Sequence, residues 1–161
     1  MSVSFGYFFD SDKNLHELSS EISESLGCDL RVIKTQSGKE QAWCRLFGMS
    51  VDFYVHSYSN GGLSNIEDVG SVDIESLKYM IGLVGPSDVF QMALELTAMI
   101  AYLLYLRLGI STGVLLFDVQ VPIAIYEERI YDSYQNLFDT ISSKEVDFPQ
   151  HFLDLDSRIP R

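Results

Sequence analysis

The chain has 161 residues, 47% of them hydrophobic, and sets 23 acidic against 11 basic side chains for a formal charge of −12. That is the length of one domain, with enough apolar material to bury a core without a disulfide or metal staple. The charge argues against nucleic acid and anionic membranes, whose phosphates call for a basic patch, and permits a basic protein partner.

Residues 3–9 form an aromatic, β-prone run and read as a first strand. Asp10, Ser11 and Asp12 offer helix N-caps. Leu15, Leu18, Ile22 and Leu26 then recur at helical spacing, with Glu17, Ser20, Glu21 and Glu24 on the opposite face and Gly27 at the C′ position. Three strands follow at 28–36, 41–47 and 49–57, separated by turns containing Gly38 and Gly48, and read as an antiparallel meander. In the third, Met49, Val51, Phe53 and Val55 alternate with Asp52, Tyr54 and His56.

Residues 57–75 are rich in Ser, Asn and Gly, hold Glu67, Asp68, Asp73 and Glu75, and include no basic residue. They read as a long loop, and long loops in compact domains are often functional, although a solvated connector is the plainer reading. Residues 77–84 read as a strand. Gly85-Pro86-Ser87-Asp88 then signals a turn and a helix start.

The helix predicted over about 87–108 contains the most apolar stretch of the chain, FQMALELTAMIAYLLYLRLG. A membrane span needs about 20 predominantly apolar residues; Gln91, Glu95, Thr97 and Arg107 interrupt this one. At 100° per residue, Gln91, Glu95, Ala98, Tyr102 and Tyr105 share one narrow strip. The expectation is a helix that organises the core, with that strip near water. Strands at 113–119 and 123–126 flank Pro122, which should lie at a turn or edge. A C-terminal helix is predicted over 127–141, and an irregular tail from about 144. The fold class expected is α+β in a single domain, 1–161. Its curved, mainly antiparallel sheet of five to seven strands packs on the long helix, with an N-terminal and a C-terminal helix beside it.

No residue constellation names a reaction. Gly109-Ile110-Ser111-Thr112-Gly113 matches G-x-S-x-G, but a nucleophile elbow leads from strand to helix, and here the order is reversed. His16, His56 and His151 lack metal-ligand spacing. Glu127, Glu128, Asp147, Asp154 and Asp156 read as solvated acids rather than a glycosidase pair. No catalytic residue, cofactor or metal is therefore expected. MSVSFGYFFDSDK has neither the basic region nor the cleavage site of a secretory signal, and Cys28 and Cys44 read as reduced thiols with a bridge left open, so a cytoplasmic location is expected.

The stretch from Gly85 to Gly109, GVLLFDVQVP after it and the acidic bias resemble the cytosolic immunity proteins of bacterial polymorphic-toxin and contact-dependent growth-inhibition systems. The resemblance implies a non-enzymatic inhibitor that binds one cognate toxin domain, often a basic nuclease. It carries over no residue roles. The loop acids Glu67, Asp68, Asp73 and Glu75 are the expected contacts for such a basic partner. Two alternatives stand beside it. One is a ligand-binding domain or small enzyme, with a pocket between helix and sheet lined by His56, Tyr54 and Cys44. The other is a homo-oligomer, such as a dimer, built on Tyr102 and Tyr105.

Overall fold

The run FGYFF becomes the middle of the sheet. The computed structural model describes residues 2–46, 48–57, 65–66, 70–71, 74–109, 112–118, 121–126 and 130–132. Its first strand, β1 (Ser2–Phe9), pairs antiparallel on both sides, and Phe5, Tyr7, Phe8 and Phe9 are all buried. A strand covered on both faces needs no polar alternation, which is why this one shows none.

Helix α1 (Leu15–Leu26) follows. Asn14 is its N-cap, its side chain accepting from the Glu17 N–H at 2.9 Å, so the cap lies two to four residues beyond the expected Asp10, Ser11 and Asp12. Gly27 ends the helix in the left-handed region at φ 68°. The meander is β2 (Arg31–Lys34), β3 (Glu40–Leu46) and β4 (Met49–Val55). Two short strands, β5 (Asn65–Ile66) and β6 (Gly70–Ser71), pair with each other in the loop, and a 3-10 turn covers Ile74–Ser76. Then come β7 (Tyr79–Pro86), a 3-10 turn at Ser87–Val89, α2 (Phe90–Arg107), β8 (Gly113–Phe117), β9 (Val121–Tyr126) and β10 (Ile130–Asp132).

The main sheet has eight antiparallel strands in the order β10-β9-β8-β1-β7-β4-β3-β2. Its last strand corrects the expected C-terminal helix: Ile130–Asp132 pairs with β9, Ile130 opposite Tyr126. The remainder of 127–141 and the tail from 144 lie outside the described residues. Pro122 lies in β9 opposite Leu116 of β8, and on its other side no described residue pairs with it, since β10 reaches only Ala124 to Tyr126. It is accommodated where the register shifts between Leu115 and Leu116, leaving Ile123 as the extra residue of a bulge.

Both helices pack on one face of the sheet. That face presents Val3, Phe5, Tyr7 and Phe9 of β1, Ala42 and Cys44 of β3, Met49, Val51 and Phe53 of β4, and Tyr79, Ile81 and Leu83 of β7. Phe9, Phe53 and Tyr79 stack with centroids 5.5–5.8 Å apart, and the Tyr79 hydroxyl donates to the Lys13 carbonyl at 2.7 Å. Gly113 is required by close approach: a Cβ there would run into the Tyr7 hydroxyl and ring. On α2, residues 93–104 are buried all round. Of the strip expected to be wet, only Gln91 is exposed; Tyr105 is half-buried, and Glu95, Ala98 and Tyr102 are buried. This removes Tyr102 from any exposed helix interface. No helix among the described residues is long and apolar enough to cross a membrane.

Candidate functional site

The second face of the sheet is divided. Its central part is covered: Phe8, Met80, Val114 and Leu116 pack with Ile74 and Leu77, which lie at and just beyond the 3-10 turn after the acidic loop. Beyond it, toward β2, the face opens to solvent over β7, β4, β3 and β2.

Strand register assigns each side chain of this open part. The connection between β3 and β4 places Leu46 opposite Met49, hence Trp43 opposite Asp52. Arg31 lies opposite Trp43 on the other side, and Gly82 opposite Asp52. One row across the sheet is therefore Arg31, Trp43, Asp52, Gly82 and Gly6. Above it run Arg45, Ser50 and Val84; below it Ile33, Gln41 and Tyr54. Trp43 is 38% exposed, Val84 38% and Ile33 48%, which is unusual for side chains of this size.

The two glycines have a local purpose. The Met80 thioether lies across them, and a Cβ on Gly82 would come within 2.9 Å of its sulfur. Asp52 thus stands in the register between Trp43 and the glycine row that Met80 covers. Burial there raises its pKa above the ordinary aspartate value and is the only cause of the shift. No ion pair among the described residues engages Asp52. The two cations nearest in the register are engaged elsewhere: Arg31 donates from Nε to Asp29 at 2.7 Å, and Arg45 from Nη2 to the Gly48 carbonyl at 3.3 Å. This leaves Asp52 half-buried and without a counter-ion among the described residues, beside an exposed tryptophan.

Of the expected contacts, Glu75 is exposed on the 3-10 turn, between the packed Ile74 and Leu77, and so lies on the same side of the sheet as Asp52 and Trp43. Glu67, Asp68 and Asp73 lie outside the described residues, as do Ser111 and His151. His56, Tyr54 and Cys44 do not line one pocket. Tyr54 and His56 belong to the second face, where the His56 ring packs edge-on against Phe8 at 4.8 Å and its Nε2 contacts the Leu77 carbonyl. Cys44 is on the helix-covered face. His16 pairs through Nε2 with Glu40 at 2.6 Å, largely in solvent, beside a cleft of about 540 Å³ that also meets Leu15 and Val55. Among the described residues no three His, Cys, Asp or Glu side chains gather as metal ligands.

Comparison with protein-family models, curated proteins and solved structures returns no match.

Proposed function

We propose that the chain is an inhibitor of the immunity-protein type, which neutralises a cognate basic toxin domain by direct contact through the open half of the sheet. The observation that carries this reading is Asp52, a half-buried carboxylate without a cation among the described residues, set beside exposed Trp43. A desolvated charge is costly unless paired, so a lysine or arginine delivered by a partner gains more here than at a solvated acid. Tryptophan and arginine are the residues that most often dominate protein interfaces, and Trp43 has Arg31 and Arg45 around it. Glu75 adds a second acid on the same side, and the net charge of −12 speeds encounter with a cationic protein. Inhibition by coverage needs no catalytic group. The reading therefore makes the chain a non-enzymatic protein of the cytoplasm, with the toxin domain as its partner and no cofactor.

The test is co-expression with the toxin domain encoded beside its gene, scored by growth, together with affinity measured on the purified pair. Trp43→Ala and Asp52→Lys should each weaken the complex by about 30-fold or more, as for a central interface residue worth roughly 2 kcal/mol. Glu24→Lys, on the exposed side of α1, should leave affinity unchanged. Full protection by both sheet-face variants, with melting curves showing them folded, would refute the assignment of the face.

A further inference from the structure

Cys28 and Cys44 are separate in sequence and adjacent in the fold. Cys28 follows the helix-ending Gly27, and Cys44 is in β3. The β2–β3 register pairs Arg31 with Trp43; continued past the end of β2, it brings Leu30 level with Cys44 and puts Cys28 one diagonal step away on the same face. Both belong to the same apolar cluster, Cys44 buried in it and Cys28 packed against it. Both are free, and both line a cleft of about 360 Å³ at the sheet edge, walled also by Asp29, Arg31, Trp43 and Arg45. Access is unequal: Cys28 is half-buried, whereas Cys44 is 6% exposed.

We propose that Cys28 and Cys44 form a dithiol modification site that takes a small disulfide, with Cys28 the attacking thiol and Cys44 the resolving one. The Cys28 thiolate attacks one sulfur of the incoming disulfide, forming a mixed disulfide and expelling one thiolate. Cys44, deprotonated by that leaving thiolate or by solvent, attacks the Cys28 sulfur and expels the second. The protein dithiol loses two electrons and two protons, and the small disulfide becomes two thiols. The cleft admits the reagent to Cys28, and its lining by both cysteines makes the second step intramolecular. The roles follow from access, and the electrostatics run the same way. The neighbouring Cys44 thiol holds Cys28 below the ordinary thiol range despite its burial and the nearby Asp29. The neighbouring Cys28, with burial, pushes Cys44 up. A thiolate reacts and a buried thiol does not, so Cys28 reacts first.

The experiment uses oxidised glutathione on the full chain, read by intact mass. Wild type should lose two hydrogens and retain no glutathione. Cys44→Ser should retain one glutathione on Cys28, and Cys28→Ser should react at least about tenfold more slowly than Cys44→Ser. Cys44→Ala provides the same readout if the serine disturbs the core, and circular dichroism identifies a folded variant. A wild-type chain that keeps its glutathione overturns the resolving role of Cys44. Equal rates for the two single variants overturn the attacking role of Cys28. Thiols that react only in denaturant overturn the site itself.

Discussion

The packing of Tyr7 over Gly113 tests the centre of the fold, because it depends on the pairing of β1 with β8. Tyr7 is wholly buried, and a Cβ at 113 would collide with its hydroxyl and ring rather than with the tip of a flexible chain. Gly113→Ala should therefore cost about 1–3 kcal/mol, the usual range for overpacking a core. Tyr7→Val should cost about 3–5 kcal/mol by leaving a cavity. In the Tyr7→Val background the added methyl enters vacated space, and Gly113→Ala should become neutral or stabilising. The two changes should thus couple by about 1–3 kcal/mol, well above the few tenths expected of independent sites. Urea unfolding of the four proteins, with equal slopes as the check on two-state behaviour, gives the coupling directly. Strictly additive costs would show that Tyr7 does not lie over Gly113, and would undo the placement of β8 beside β1.

Other variants test separate links. The raised pKa of Asp52 means that the native state binds more protons than the unfolded state between the ordinary aspartate value and the folded one, so this residue makes stability fall as pH rises through that window. Asp52→Asn should flatten the stability–pH curve there and leave the variant at least as stable as wild type at neutral pH; a steeper curve would contradict the cause assigned to the shift. Asn14→Ala removes the cap on Glu17 and should lower stability by about 1 kcal/mol in thermal or urea melts. Gly27→Ala, at φ 68° with open space around it, should also destabilise by about 1 kcal/mol through backbone strain alone. Closing the Cys28–Cys44 bond cross-links a loop of about 15 residues and should raise stability by roughly 3 kcal/mol, read as a shift of the urea midpoint on oxidation.

The parts of this molecule readable in advance are those decided by neighbours along the chain. The meander is one: only residues 47 and 48 separate Leu46 from Met49, so a tight connection sets Trp43 opposite Asp52, and alternation alone puts Asp52 off the core face. The stripe of α1 is another, with Leu15, Leu18 and Ile22 all buried as their spacing requires. Long-range placement was not readable. Periodicity identified a mildly polar strip on α2 but carried no information on what would cover it, and Glu95 and Tyr102 are buried despite their type. Ile130 and Tyr131 fit a helical spacing as well as a strand, and only pairing with β9 decides between them. Strand order was equally closed to local reasoning, since β1 lies between β7 and β8, far away in sequence. The candidate site falls between these cases. Trp43 and Asp52 were each visible, but what makes them a site is the absence of side chains on Gly82 and Gly6, two strands further on. That trough seats Met80, and it lies level with Asp52 only once β7 has entered the sheet beside β4.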